Sequence, residues 1–415
     1  MNKKACESQQ IALVLGGTAP HIELIKELHR RGYWVILIDY FENPPAKKYA
    51  DLHVKASTLD KESVLKIAKE NNASLVISAC IDQANSICCY VAEQLGLPHP
   101  YSYVTSVQVT DKSEMKKTMV ENNIPTSWFY TVNDIEDIPW NDIVFPAVVK
   151  PVDCNSSKGV HRVESSEDGK KYVKEAISLS RRKRAIVEGF VEGTEIQVDC
   201  FAGVSSTQII LTRQKKRIQG KNSEELNSEG SILPAPVCKG KESEISIIAN
   251  KIASAFGLRN TPFFFQAIVD RNGGISVLEF APRVGGGLSY YILKNIAGFD
   301  AIRAVVNSYI GEYEIVTAGT IDRYYSTNLL YMTPGIFDHI DGFDQAKKKG
   351  LIVEGFITKE KGTAIGSNLS SGNRVGAFIV EGDSVEALKA KETQVYSIID
   401  VIDIDGKSQM RRWVE

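Results

Sequence analysis

Phe263-Phe-Phe-Gln-Ala-Ile-Val-Asp-Arg-Asn-Gly-Gly-Ile-Ser-Val-Leu-Glu-Phe-Ala-Pro-Arg283 holds two apolar runs separated by a turn. Arg271-Asn-Gly-Gly274 is a hairpin signal, so strands are expected over Phe263 to Asp270 and Ile275 to Phe280. Gln266 falls on the first strand and Glu279 on the second. Both can point to one face, where oxygen ligands would hold magnesium. Phe280-Ala-Pro-Arg283-Val-Gly-Gly-Gly287 then sets a fixed cation and an open loop beside that pair.

Upstream of this hairpin, Asp111 to Asn122 reads as a helix with Asp111 as its start signal. Lys112 lies early on it. Phe145-Pro-Ala-Val-Val-Lys150 and Ala185-Ile-Val-Glu188 are short apolar strands flanking the loop Asp153-Cys-Asn-Ser-Ser-Lys-Gly159. Such a loop can fold over phosphates, using backbone N–H groups and Lys158, although it is not a GxxxxGK[ST] loop. Either lysine alone, Lys112 or Lys158, is more often a surface residue. An acid ends the next strand and a second follows seven residues on, in Val187-Glu188-Gly-Phe-Val191-Glu-Gly-Thr-Glu195. Glu195 to Phe201 and Ser206 to Thr212 are further strands, and Ala301 to Ile310 is a closing helix. The basic stretch Arg213-Gln-Lys-Lys-Arg-Ile-Gln-Gly-Lys221 reads as a solvated loop or as one closing over an anionic substrate.

The first segment alternates strand and helix. Ile11 to Leu15, Tyr33 to Asp39 and Leu75 to Ser78 are apolar runs, with helical periodicity over His21 to Arg31 and Lys61 to Glu70. This spacing implies a parallel sheet with right-handed crossovers. Gly16-Gly-Thr-Ala-Pro-His21 opens a helix without matching GxGxxG; it serves an anion or simply starts the helix. Asp39 sits where a ribose-binding acid would, and His21 caps or contacts a ligand. From about Thr320 onward, short strands with glycine punctuation precede a helix over Ser384 to Ile399.

The composition bounds the class. The 415 residues suit two or three domains; 43% hydrophobic and 24% charged is the profile of a globular chain. Lys plus Arg number 49 against 51 acids, a net charge of -2, so no long-range field draws the chain onto nucleic acid or a membrane. Seven scattered cysteines form no CxxC and no zinc-like cluster, which points to a reducing cytoplasm. No apolar stretch approaches about 18 residues.

Taken together, these motifs resemble the ATP-grasp superfamily, the carboxylate–amine ligases and their biotin-carboxylase-like relatives. The resemblance spans roughly residues 11 to 400. Asn43-Pro-Pro-Ala-Lys-Lys-Tyr-Ala-Asp51 is similar to purine-biosynthetic members. Ser371-Gly-Asn-Arg-Val-Gly376 with Val380-Glu-Gly-Asp383 is similar to the C-terminal domain of biotin carboxylases. It implies an α/β and α+β multidomain fold: a Rossmann-like domain over residues 1–110, a two-lobed ATP-grasp core over 111–320 with a lid lobe at about 125–192, and a β-rich C-terminal domain over 321–415.

The resemblance also implies roles. Lys112 and Lys150 would contact ATP phosphates, with Ser156, Ser157, Lys158 and Gly159 in the flexible lid. Glu188, with the backbone of Gly189 and Val191, would hold the adenine edge, and Glu195 the ribose. Gln266 and Glu279 would ligate magnesium or manganese, and Arg283 with Lys150 would stabilise the transferring phosphoryl group. One departure stands out: Ala281 replaces the asparagine of the family's Glu-x-Asn-Pro-Arg, and alanine cannot ligate a metal. The implied activity is an ADP-forming ligase joining a small carboxylate to an amine, often an amino acid. A bicarbonate- or formate-using enzyme and a catalytically silent nucleotide-binding protein are the alternatives. The expected partners are small molecules and a second copy of the chain, with no nucleic acid and no membrane. Tyr290 and Tyr291 are candidates for the substrate pocket or for core packing.

Overall fold

The computed structural model describes residues 9–154, 158–217, 228–314, 316, 319–367 and 373–412. The N-terminal part contains β1 (Ile11–Leu15), α1 (Ala19–Arg30), β2 (Trp34–Asp39), β3 (Leu52–Lys55), α2 (Lys61–Glu70), β4 (Leu75–Ile77), α3 (Asp82–Leu95) and α4 (Tyr103–Thr110). Its strands form a parallel sheet in the order β3-β2-β1-β4. β1, β2 and β4 are apolar without alternation because helices cover both faces. α3 stops at Gly96, whose φ of 64° is costly for any residue with a Cβ.

α5 (Lys112–Glu121) follows, and Asp111 caps it by accepting from Ser113 N at 2.9 Å. β5 (Phe129–Val132), β6 (Ala147–Pro151), β7 (His161–Val163), α6 (Ser166–Leu179) and β8 (Ala185–Gly189) build a small antiparallel lobe in the order β5-β8-β6-β7. β9 (Gly193–Ala202), β10 (Thr207–Arg217), β11 (Ser228–Leu233), α7 (Glu242–Ala255), β12 (Thr261–Asp270), β13 (Ile275–Ala281), α8 (Ser289–Asn295) and α9 (Ala301–Ile310) form the central part. The β12–β13 turn is tied by Asp270, which accepts from Asn272 N at 2.7 Å and Gly274 N at 2.9 Å.

The C-terminal part adds β14 (Tyr324–Tyr331), β15 (Gly335–Asp341), α10 (Phe343–Lys348), β16 (Glu354–Ile357), β17 (Ala364–Ile365), β18 (Arg374–Gly382), α11 (Val385–Tyr396) and β19 (Asp400–Asp403). It does not stand apart. β14, β18 and β16 extend the central sheet, giving the order β13-β12-β9-β10-β11-β14-β18-β16. The junction depends on Gly230: its φ is +155°, and a Cβ there would lie 1.9 Å from the Thr327 carbonyl oxygen. Only glycine lets β11 approach β14 this closely.

One apolar core runs from the N-terminal sheet through Leu24 and Val76 into Ile292, Leu293 and Val305 of α8 and α9. That shared core presses the start of α3 against the segment following β13. A second core joins α5, α7 and the inner face of β9, β12 and β13.

Candidate active site

A cavity of ≈ 560 Å³ opens between the N-terminal part, α5, and one face of the long sheet. The predicted hairpin is present, and Gln266 and Glu279 are direct cross-strand partners. The Gln266 amide lies between Glu279 Oε1 at 3.2 Å and Lys215 Nζ at 3.0 Å, its nitrogen toward the carboxylate and its oxygen toward the lysine. Glu279 Oε2 lies 3.5 Å from Lys112 Nζ. Burial pushes the Glu279 carboxyl up, but the charges of Lys112, Lys150, Lys215 and Arg283 prevail and hold it below its ordinary value. It is an anion ringed by four cations.

Lys112 reaches the site because α5 begins there. Its backbone N–H donates to Val152 O at 2.9 Å and its Nζ to Cys154 O at 2.8 Å. Asp111 behind it is fully buried and paired with Arg182 and Arg184 of the small lobe, each at 2.5 Å. The base of the Asp153–Gly159 loop is thereby tied to the helix that presents Lys112. Lys158 is exposed, and Gly159 has φ +71°. Ser156 and Ser157 lie outside the described residues.

Lys150 does not point freely into the cavity. Its Nζ lies 2.5 Å from Glu188 Oε1, while Glu188 Oε2 lies 2.6 Å from Lys116 Nζ. Lys116 also donates to Thr126 Oγ1 at 2.8 Å and Ser127 Oγ at 2.9 Å, in the segment leading into the small lobe. Burial raises the Glu188 carboxyl, but Lys150 and Lys116 bring it down to about 2. Both carboxylate oxygens of Glu188 are therefore engaged by ammonium groups; the expected contact to an adenine edge would fall to the nearby backbone. Gly189 N and Phe190 N bond to Trp128 O and Pro146 O, at 3.0 and 3.2 Å, and Val191 follows the strand. Glu195 on β9 pairs with Lys215 and with Arg217 Nη2 at 3.2 Å.

Arg283 lines the cavity in a two-point ion pair with Asp82, Nη2 to Oδ2 at 2.5 Å. It also stacks over Phe264, 5.1 Å from the ring centroid. Asp82 is the first residue of α3, beyond the C-terminal end of β4. Parallel sheets place ligands at that edge, so an acid opening the helix after a buried strand was the available signal for Asp82. For Lys116 the signal was its position one turn after Lys112, on the same helix face.

The structure corrects one expectation and decides between the alternatives of three others. Residues 213–217 are not loop but the end of β10, and Arg213 is 6% exposed; residues 218–221 lie outside the described residues. Tyr290 and Tyr291 do not line the cavity; they pack against the N-terminal core, Tyr291 edge-on to Phe356 at 4.9 Å. His21 is buried and serves its own turn, with Nδ1 2.9 Å from Thr18 Oγ1 and Nε2 3.3 Å from Ser78 Oγ. Asp39 accepts from Phe41 N at 2.9 Å and is buried.

An ATP-grasp domain model matches residues 143–291, and a model for L-amino acid ligase C-terminal domain 2 matches residues 328–402. The chain carries an ATP-grasp domain. It is 24% identical over 283 residues to the formate-dependent phosphoribosylglycinamide formyltransferase of Saccharolobus solfataricus, spanning 67% of this chain and 70% of that one. With the enzyme of the same name from Syntrophotalea carbinolica it shares 25% over 311 residues, 72% and 75% of the two chains. Its fold is that of the L-amino acid ligase from Bacillus licheniformis, with a TM-score of 0.79, 19% identity, and 95% and 99% of the chains covered.

ATP and magnesium serve this family. Glu279 offers one ionised carboxylate to a magnesium ion held largely by phosphate oxygens, and Gln266 on the adjacent strand would add an oxygen once its amide turns from Lys215. Among the described residues no cluster of three His, Cys, Asp or Glu could hold an ion by itself. Ala281, buried beside the cavity, adds no donor. No helix among the described residues is long and apolar enough to cross a membrane.

Proposed function

We propose that the protein joins a small carboxylate to an amine at the expense of ATP, releasing ADP and phosphate through an acyl phosphate. The observation that carries this reading is the convergence of Lys112, Lys215, Gln266, Glu279 and Arg283 on one cavity. A carboxylate and a triphosphate repel, by about 4 kcal/mol per charge pair at 4 Å and an effective dielectric near 20. Lys112, Lys150 and Arg283 supply the compensating charge and align the phosphoryl group. A bound magnesium ion, held by Glu279 and Gln266, would neutralise the phosphate oxygens. The carboxylate oxygen attacks the γ-phosphorus and ADP leaves. The amine nitrogen then attacks the acyl carbon, the carbon–oxygen bond to phosphate breaks, and the amine proton leaves with solvent or phosphate. Closure of the loop carrying Ser156, Ser157, Lys158 and Gly159 would exclude water from the acyl phosphate.

Glu195 and the backbone around Gly189 and Val191 are the proposed nucleoside contacts, with Glu188 holding Lys150. The proposed parts are residues 1–110, 111–320 with a lid lobe at about 125–192, and 321–415, supported by separate sheets for the first part and the lid lobe. A cytoplasmic location and a homodimer belong to the same proposal. The similarity to formate-dependent formyltransferases favours formate as one acid to test. The test is ADP release with magnesium ATP across carboxylic acids, formate and bicarbonate included, against amines. Lys150→Ala and Glu279→Ala should each abolish substrate-dependent ADP release. Full activity in both removes the reading, and ATP binding without release across the panel favours a silent nucleotide-binding protein.

A further inference from the structure

The cavity does not end at the β12–β13 hairpin. It follows the sheet across β9, β10, β11 and β14 to the start of β18. With strands about 4.8 Å apart, β18 lies about 14 Å beyond β10 and about 29 Å from β13. A nucleotide phosphate held at Lys112 and Glu279 leaves this far stretch to the other reactants.

Two guanidiniums line it, Arg213 on β10 and Arg374 on β18. Arg213 is 6% exposed. Its Nε lies 2.7 Å from Asp199 Oδ2 and its Nη1 donates to Ser289 Oγ at 2.9 Å. Its Nη2 is buried and has no hydrogen-bond partner among the described residues. A buried N–H without an acceptor is costly, and native interiors rarely leave one unless a ligand or water completes it. Its surroundings hold it in place. A Cβ on Gly285 would come 2.6 Å from Ser289 Oγ and 3.1 Å from Gln197 Nε2, so only glycine leaves Ser289 against Arg213. Arg374 Nε donates to Tyr331 Oη at 2.8 Å, and that hydroxyl donates to Ser228 O at 2.9 Å. Between the two arginines the Ser231 and Thr327 hydroxyls are 2.8 Å apart. The lining is also electropositive: Lys112, Arg213, Lys215, Arg283 and Arg374 face Asp82 and Glu279.

The geometry points to Arg213, supported by Arg374, as the reader of an anionic end group on a substrate, separate from the carboxylate that is phosphorylated. This rests on the ligase reading. The end group is a carboxylate with two sources: the amine is itself an amino acid, or the acid is a dicarboxylate. A lone buried guanidinium matched by Asp199 rejects a neutral end, because Nη2 then stays unsatisfied.

ADP release with magnesium ATP tests it on any acid–amine pair that turns over. One arm compares alanine with alaninamide and ethylamine as the amine; the other compares succinate with butyrate as the acid. The wild-type chain should favour the member bearing the extra carboxylate in one arm by about 10- to 100-fold in kcat/KM. The arm that responds names the source. Arg213→Met and Arg374→Met should each shrink that preference about tenfold while KM for ATP stays within about twofold. Since Arg213→Met leaves Asp199 buried and unpaired, the pair Asp199→Asn with Arg213→Met provides a charge-balanced check. Equal use of acid and neutral analogues by the wild-type chain overturns the inference. So does a preference that survives in the double variant and in Arg374→Met. No turnover with any pair removes the ligase reading instead, and the inference with it.

Discussion

Lys116→Met is the substitution whose effect the structure defines best. Lys116 and Glu188 have side chains 1% and 3% exposed, and Lys150 8%. Burial raises the Glu188 carboxyl, yet Lys150 and Lys116 hold it at about 2 against an ordinary 4.5. That difference corresponds to on the order of 3 kcal/mol favouring the ionised Glu188, partly offset at Lys116, where burial outweighs the pairing and lowers the ammonium's pKa. Removing Lys116 leaves the burial cost in place with only Lys150 to offset it, and strands Thr126 and Ser127 without their donor. The expected destabilisation is about 2–4 kcal/mol, at or just below the usual cost of breaking a buried pair, because one partner remains. The thermal unfolding midpoint followed by fluorescence should fall by about 2–5 °C. Glu188 would then hold Lys150 alone and compete with phosphate for it, so KM for ATP should rise. In a cycle with Glu188→Gln, the coupling between the two sites should exceed about 1 kcal/mol. A Lys116→Met chain within about 0.5 kcal/mol of wild type, and additive with Glu188→Gln, would refute the reasoning.

Other consequences follow from single contacts. Glu279→Gln should abolish substrate-dependent ADP release and leave the melting temperature nearly unchanged, since it removes charge but not shape; retained release contradicts its role. Asp82→Asn should loosen Arg283, with kcat altered more than ATP affinity; unchanged kinetics would make the pair a simple strut between the two parts. His21 is held neutral by burial, with its pKa lowered from 6.5 to about 4. Its contribution is present above 6.5 and is lost as pH falls through 4, by about 3 kcal/mol in all. His21→Gln should flatten denaturant-measured stability across that window, and an unflattened profile would contradict the burial argument. Gly230→Ala would drive a methyl to 1.9 Å from the Thr327 carbonyl oxygen and should markedly lower the melting temperature; a wild-type melt would show that β11 can shift away.

Much of the fold was legible in the order of apolar runs. Lys61–Glu70 and Ala301–Ile310 are helices at the bounds that periodicity implies, and Asp111 caps the helix that it announces. β10 runs past its apolar portion into Arg213–Arg217 because it is paired on both sides, by β9 and β11, so hydrogen bonding rather than hydrophobicity sets its length. β3 was missed for a related reason: Leu52–Lys55 is half exposed at a sheet edge and carries little apolar pattern. Lys112, Lys150, Glu188, Glu279 and Arg283 could be singled out by position near strand and helix ends, and Gln266 by facing Glu279 across the hairpin. For Asp82 and Lys116 position was the whole of the signal, and position does not distinguish a solvated acid or lysine from one that meets its partner 201 or 72 residues away.

The chain's own order of strands, helices and turns determined which residue types stand at the ends of which elements, because periodicity and capping act over a few neighbours. Only the tertiary structure decided what those side chains touch. It turned Glu188 onto two lysines, set Arg283 on Asp82, buried Arg213 against Asp199, and carried the central sheet into the C-terminal strands. Each of these depends on bringing distant segments within hydrogen-bonding range in a shared core, where charge pairing is strong and sequence separation has no influence.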